Sequence, residues 1–273
     1  MTRVNAWTPE AITRFWQYYA NRPESNYFSE PYGGAIVEML SMTGVPVSGR
    51  KVLDYGCGRG NLAEHLLRSG ARVAGFEQSV TSVDVANKNL REYDGWLGAL
   101  AELPTAGTSL FADFDVVTCV EVVEHLDDAT LEKVLSEIHG LVRPGGTVLF
   151  TTPNNEHLES NFVFCPFCDS EFHQVQHMRS FDAGSLRRVL TEVGFVVDFC
   201  RGVNLLLLTP GIRSTLPEQA GLSGRVGRVT LNAVRLAWRA KASVLSGPGR
   251  RDLRRYLRPG DNLVAIAQSP GPP

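Results

Sequence analysis

Between residues 50 and 200, short apolar runs alternate with amphipathic stretches, the pattern left by repeated β-α units around a parallel sheet. The runs Lys51–Tyr55, Arg72–Phe76, Phe114–Val120 and Thr147–Thr152 predict strands. Helices are predicted to start at Asn61, Val80 and near Asp128, with Ser79 and Asp127 or Asp128 as caps, because their side-chain oxygens take free N–H groups of a first turn. Arg143-Pro-Gly-Gly reads as a turn entering a strand. Right-handed crossovers then give a doubly wound α/β core.

Ahead of this core, residues 8–43 predict two helices placed to cap the cleft. One is aromatic (Phe15, Trp16, Tyr18, Tyr19) and one apolar (Ile36, Val37, Met39, Leu40). Behind it, Asp182–Val193 reads as a helix closed by Gly194, followed by a strand through Phe195–Leu208, and Asp261–Gln268 is the last strand. Hairpin loops are ordinarily a few residues long, so the stretch between these two strands is an insertion. The expected layout is a helical cap over 1–45, a core over 46–208 that includes a segment 162–178 rich in metal-ligand types, a basic helical insertion over 209–260, and a last strand and tail over 261–273.

Composition narrows the class. The chain has 273 residues, 43% hydrophobic and 21% charged, which suits a globular fold and excludes collagen, coiled coil and disorder. Without a long uncharged run or an apolar leader, the expected location is cytoplasmic. Five cysteines are too few and too odd in number for a disulfide framework. The net charge of −2 conceals an asymmetry, because residues 213–258 hold eleven Lys and Arg against Glu218 and Asp252. Within this segment Val226, Val229, Ala233, Leu236, Ala237, Ala240 and Val244 recur at helical spacing. A basic amphipathic helix over 224–245 can pack on the core with a solvated face, rest on an anionic membrane, or bind RNA. RNA ranks last because Trp238 and Tyr256 are the only aromatics there for stacking.

Val52-Leu-Asp-Tyr-Gly-Cys-Gly-Arg-Gly60 follows a predicted strand and opens a helix. Gly56, Gly58 and Gly60 allow a sharp turn and a close approach to a ligand. Glu77 ends the next strand, where a carboxylate can take both hydroxyls of a ribose. The loop lacks the spacing Gly-x-Gly-x-x-Gly, and no Gly-Lys-Ser/Thr follows, which argues against a nicotinamide or triphosphate site.

Over residues 50–200 the chain resembles the class I S-adenosylmethionine-dependent methyltransferases, on Val52–Gly60, Gly75-Phe-Glu-Gln-Ser79 and Phe114-Asp-Val-Val-Thr-Cys-Val120. The resemblance implies a mostly parallel, seven-stranded, Rossmann-like sheet and S-adenosylmethionine as cofactor. By it, Gly56 and Gly58 face the methionine part, Asp54 supports the loop, Glu77 binds the ribose and Gln78 lies against adenine, with Gly60 and Val120 also at the cofactor. The family's usual acid for the adenine amino group is replaced by Ala99, leaving backbone near Leu100 to serve.

Glu121-Val-Val-Glu124-His125 falls at the carboxyl end of the fourth strand, where open α/β sheets place ligands. Glu124 and His125 are the candidate catalytic residues, His125 as general base or as ligand of an acceptor-binding metal. The alternative is a packing feature supporting the cofactor loop, favoured for Glu121. Together with His177 this segment resembles the ubiquinone-pathway O-methyltransferases and the small-RNA 2′-O-methyltransferases, and in the RNA group the constellation holds a divalent metal. Separately, Cys165, Cys168, His173 and His177 have the types and spacing of a zinc knuckle, so two metal readings compete for His177. The function expected is methyl transfer to an oxygen, or secondarily a nitrogen, of a small-molecule acceptor. A metal-dependent RNA methyltransferase and a non-catalytic cofactor-binding scaffold are the alternatives.

Overall fold

The computed structural model describes residues 3–4, 7–22, 27–104, 111–208 and 260–270. The expected insertion 209–260, with its basic helix 224–245, lies outside them apart from Gly260. No described helix is long and apolar enough to cross a membrane.

The first elements are a two-residue strand β1 (Arg3–Val4) and two helices, α1 (Pro9–Ala20) and α2 (Ser29–Met42). Thr8 caps α1 by accepting the N–H of Ala11, and Pro9 occupies a position where a missing N–H costs nothing. The apolar helix α2 buries Ile36, Met39 and Leu40. The core follows as β2 (Lys51–Tyr55), α3 (Asn61–Arg68), β3 (Arg72–Phe76), α4 (Val80–Leu90), β4 (Trp96–Leu100), β5 (Phe114–Val120), α5 (Asp128–Leu141) and β6 (Val142–Pro153). Ser79 caps α4 and Asp127 caps α5, each side chain accepting an N–H of the first turn. A hairpin of β7 (Phe162–Cys165) and β8 (Ser170–His173) precedes α6 (Ala183–Glu192), β9 (Val196–Val203) and β10 (Asn262–Gln268).

Seven strands form one sheet in the order β4-β3-β2-β5-β6-β10-β9. Neighbouring strands run parallel from β4 to β6, and β10 is antiparallel to both β6 and β9. The central strands are buried almost throughout, as a sheet covered on both faces requires. From β2 the chain winds outward through β3 to β4, then returns to β5 on the other side of β2. That reversal opens a crevice beyond the carboxyl ends of β2 and β5, where doubly wound sheets bind ligands. The second sheet is small: β8 lies between β1 and β7, with β1 parallel and β7 antiparallel to it.

Three expectations change. The strand expected through Leu208 stops at Val203, and Leu205–Leu208 forms a 3₁₀ turn in which Leu205 is buried. The strand expected from Thr147 begins at Val142, because Val142 pairs with Phe114 before a register shift, with Gly145 at φ +73° turning the chain. Residues 162–173, expected as a metal-binding loop, are largely the β7–β8 hairpin.

Candidate functional site

The glycine loop begins where β2 ends. Gly56 has φ +80°, and a Cβ there would lie 2.5 Å from Val122 Cγ2; Gly58 has φ +52° and faces the Tyr27 ring. Both positions demand glycine for backbone conformation as well as space. Gly60, expected at the ligand, has a packing role: its Cβ would meet Leu90 of α4 at 2.7 Å, which fixes the helix close to the loop.

Glu77, just past β3, closes the loop from the other side. Its Oε2 accepts the Gly58 N–H at 3.2 Å and its Oε1 the Ser79 N–H at 2.9 Å. Burial pushes its carboxyl above the ordinary range. Asp54 is fully enclosed and accepts the Thr118 hydroxyl at 2.9 Å, and burial raises its pKa to about 7. Leu100, whose backbone was expected near the adenine, ends β4 beside Glu77. Its carbonyl is taken by the Glu77 N–H, and its side chain turns outward at 38% exposure.

Two cavities flank Gly56, of about 350 and 300 Å³, and share Trp16, Gly56, Glu121 and His125. The first reaches Glu77 and Gln78 and the second Asp54, Gly58 and Val120. Aromatic side chains of the N-terminal region, among them Phe15, Tyr19, Tyr27 and Phe28, wall the second. Neither described lining contains a Lys or Arg.

The other wall is the segment after β5. Glu121 adopts φ +53°, a conformation disfavoured by about 1–2 kcal/mol for a residue with a side chain. It is held there because its N–H donates to the Thr151 carbonyl and its carboxylate accepts the Thr151 hydroxyl at 2.8 Å. The next 3₁₀ turn, Val123–His125, buries Glu124 completely, with both carboxylate oxygens lacking a hydrogen-bond partner. Burial raises the pKa of Glu121 and of Glu124, the latter further through the charge of Glu121. Burial lowers His125 to about 3, aided by the neighbouring His177 and His173, so its imidazole is neutral.

Residues 173–178 pack onto this turn. Trp16 donates its indole N–H to Gln176 Oε1 at 2.9 Å, and the Gln176 amide donates to the His125 carbonyl at 2.8 Å. The Met178 N–H donates to the Glu124 carbonyl. The rings of Trp16 and His125 meet edge to face at 5.0 Å. The aromatic helix α1 is tied to this turn through a glutamine that carries no sequence signature.

Two groups of described residues bring metal-ligand atoms within 4.8 Å of one another: Glu124, His125 and His177, and Glu156, His173 and His177. Neither contains a cysteine, so the structure does not bring the four residues of the expected knuckle together. Cys165 pairs with Ser170 at one end of the β7–β8 ladder, whereas His173 pairs with Phe162 at the other, roughly 10 Å away at about 3.3 Å per residue. Hydrogen bonds decide between the two groups. The His125 Nδ1 lies 3.3 Å from the Gln176 carbonyl, which only accepts, so its hydrogen is on Nδ1 and its lone pair on Nε2. His177 Nδ1 lies 2.5 Å from Glu156 Oε2, leaving its Nε2 lone pair free. His173 is reversed: its Nδ1 accepts the N–H groups of His177 and Val175, so its hydrogen sits on Nε2 and blocks coordination. The first group is therefore the one able to hold a cation. Two anchored imidazoles and an orphaned carboxylate form a donor set suited to a divalent ion.

A family model described as a methyltransferase domain matches residues 12–198, more than half of the chain. Among curated proteins, the chain is 41% identical over 115 residues to a ubiquinone biosynthesis O-methyltransferase of Thiobacillus denitrificans, covering 41% of this chain and 48% of that protein. It is 38% identical over 107 residues to one of Escherichia coli O127:H6, covering 39% and 44%. The chain thus spans about half the length of the curated relatives it matches. Among solved structures, the Burkholderia thailandensis 1,6-didemethyltoxoflavin-N1-methyltransferase with bound 1,6-didemethyltoxoflavin and S-adenosylhomocysteine superposes with a TM-score of 0.57 at 15% identity, covering 98% of this chain and 94% of that one.

Proposed function

The chain belongs to the methyltransferase-domain family, and from that premise we propose that it transfers the methyl group of S-adenosylmethionine to an oxygen of a small-molecule acceptor, with a divalent cation at Glu124, His125 and His177. The reading is carried by the crevice itself. The glycine loop and Glu77 lie on one side, the orphaned Glu124 carboxylate and two free imidazole lone pairs on the other, and both cavities share Gly56 and His125.

Gly56 and Gly58 let the backbone approach the methionine part of the cofactor. Glu77 has used one acceptor site on each oxygen for the loop, which leaves its remaining lone pairs for two ribose hydroxyls. Gln78 lies against the adenine, and Asp54 and Val120 line the methionine side. The residues fit a cation because burying Glu121 and Glu124 together is costly until positive charge compensates them. When bound, the cation supplies Lewis acidity that lowers the pKa of an acceptor hydroxyl, and the cofactor supplies a methyl group on a sulfonium. Trp16 and the aromatic wall exclude water and orient an apolar acceptor. His125, which lines both cavities, stands beside the acceptor as a ligand of the cation or as the base that takes the acceptor's proton. A small acceptor is favoured over RNA because the described cavity linings offer no Lys or Arg to a phosphate backbone. Oxygen is favoured by the names of the curated relatives.

Calorimetry with S-adenosylhomocysteine tests the assignment. Glu77→Ala is expected to weaken binding by about 1.5–3 kcal/mol, the range for hydrogen bonds to a charged group. His125→Ala is expected to leave that affinity near wild type and to abolish cobalt(II) binding. Unchanged affinity in Glu77→Ala overturns the cofactor site, and unchanged cobalt binding in His125→Ala overturns the metal site.

A further inference from the structure

Glu156 lies just beyond β6, with its side chain only 11% exposed. No Lys or Arg among the described residues pairs with it. The Asn161 amide donates at 2.8 Å to its Oε1 and the His177 Nδ1 is hydrogen-bonded to its Oε2, while the His173 Nε2 lies 3.3 Å from Oε1 without a hydrogen bond. These two rings stack at 4.6 Å, yet the carboxylate and the backbone leave them with opposite hydrogen placements.

The difference follows from what each nitrogen faces. A carboxylate oxygen accepts, so Glu156 Oε2 at 2.5 Å places the hydrogen of His177 on Nδ1. His173 Nδ1 instead accepts the His177 N–H at 3.1 Å and the Val175 N–H at 3.4 Å, which puts its hydrogen on Nε2, 3.3 Å from Glu156 Oε1. His173 therefore ties down the backbone of His177 while Glu156 ties down its ring. The ring lies 4.9 Å from that of His125, across from the buried Glu124.

We infer that Glu156 is the positioning residue of the site: it sets the tautomer of His177, whose ring groups with Glu124 and His125, and His173 is a strut that binds no metal. The consequence for affinity rests on the metal reading above; the tautomer does not. Carboxylates behind ligating imidazoles are worth 10–100-fold in metal affinity.

The experiment uses the apo protein with ¹⁵N-labelled histidine and long-range ¹H–¹⁵N correlation, followed by titration with cobalt(II) chloride. Wild type is expected to show His177 as the Nδ1–H tautomer and His173 as Nε2–H. In Glu156→Gln an amide N–H₂ can face Nδ1, so His177 shifts to Nε2–H and cobalt affinity falls about 10–100-fold. Glu156→Asp, which restores a carboxylate, recovers part of both, a rescue that general destabilisation does not produce. Circular dichroism and homocysteine-cofactor calorimetry confirm that each variant is folded. An Nε2–H tautomer of His177 in wild type overturns the inference, as does full cobalt affinity in Glu156→Gln. Loss of cobalt in His173→Gln with the His177 tautomer retained overturns the strut role. Wild type with the expected tautomers that binds no cobalt supports the positioning role and overturns the metal reading alone.

Discussion

The contact between Gly56 and Val122 joins the cofactor loop to the acid-histidine turn, and Gly56→Ala measures it. The new methyl group would sit 2.5 Å from Val122 Cγ2, on a backbone at φ +80°. Holding a non-glycine residue in that region costs about 1–2 kcal/mol. Forcing a methyl into a packed site costs a further 1–3 kcal/mol or so. The substitution is therefore expected to destabilise the fold by roughly 2–5 kcal/mol in urea unfolding. The two parts separate in a double-mutant cycle with Val122→Ala, which removes the clashing methyl but not the backbone strain. In that background Gly56→Ala should cost only about 1–2 kcal/mol, leaving a coupling energy of about 1–3 kcal/mol. Because Val122 immediately precedes the 3₁₀ turn of Glu124 and His125, the single variant should also weaken cobalt binding and the double variant recover it. A cost below about 1 kcal/mol in both backgrounds, or no coupling, refutes the reasoning.

Other outcomes follow from the same geometry. Asp54 has a folded pKa of about 7 against an ordinary 3.8, so the folded chain retains a proton that the unfolded chain releases. Its carboxyl therefore lowers stability as pH rises through that window, and the full cost applies above about pH 7. Asp54→Asn keeps an oxygen for the Thr118 hydroxyl and cannot ionise, so its stability relative to wild type should improve by up to about 4 kcal/mol between pH 4 and 8. A flat difference across that range in urea unfolding would sink the argument. The Cys165→Ser, Cys168→Ser double variant should bind cobalt(II) as wild type does, since the hairpin holds both thiols away from His173 and His177; a fall in affinity would return the cysteines to the ligand set.

Legibility in the sequence tracked how local each determinant was. Strands β2, β3 and β5 have the limits that their apolar runs predict, because a strand buried on both faces is continuously apolar. The starts of α3, α4 and α5 were equally plain, since glycine or a capping side chain fixes each locally. Strand β4 left no such pattern. It shifts register beside Val73, places Gly98 at φ +96°, and is clamped by Asn87, whose amide group bonds Ala99 and Trp96. The β7–β8 hairpin has no local signature for a related reason, since its sheet is completed by β1, far away in sequence. Spacing also misled at the cysteines. Ligands three to five residues apart can converge in a tight knuckle, but the same residues diverge along an antiparallel ladder, and only the register distinguishes the two.

The glycine loop, Glu77, Glu124, His125 and His177 were legible at the crevice; Glu156 and Gln176 were not, because each acts on a side chain distant in sequence. One charge relation unites both sets. Asp54, Glu77 and Glu121 line the two cavities, Glu124 is buried beside them, and Glu156 stands behind His177, while the described linings supply no Lys or Arg. Burial raises the carboxyls of Asp54, Glu77, Glu121 and Glu124, and the described linings offer no Lys or Arg to offset that cost. Ligands that bring positive charge relieve that cost where anionic ones add to it. A sulfonium cofactor and a divalent cation both meet the requirement. On the proposed function, an acceptor that meets the aromatic wall of the N-terminal region finds no Lys or Arg in the described linings to pair with.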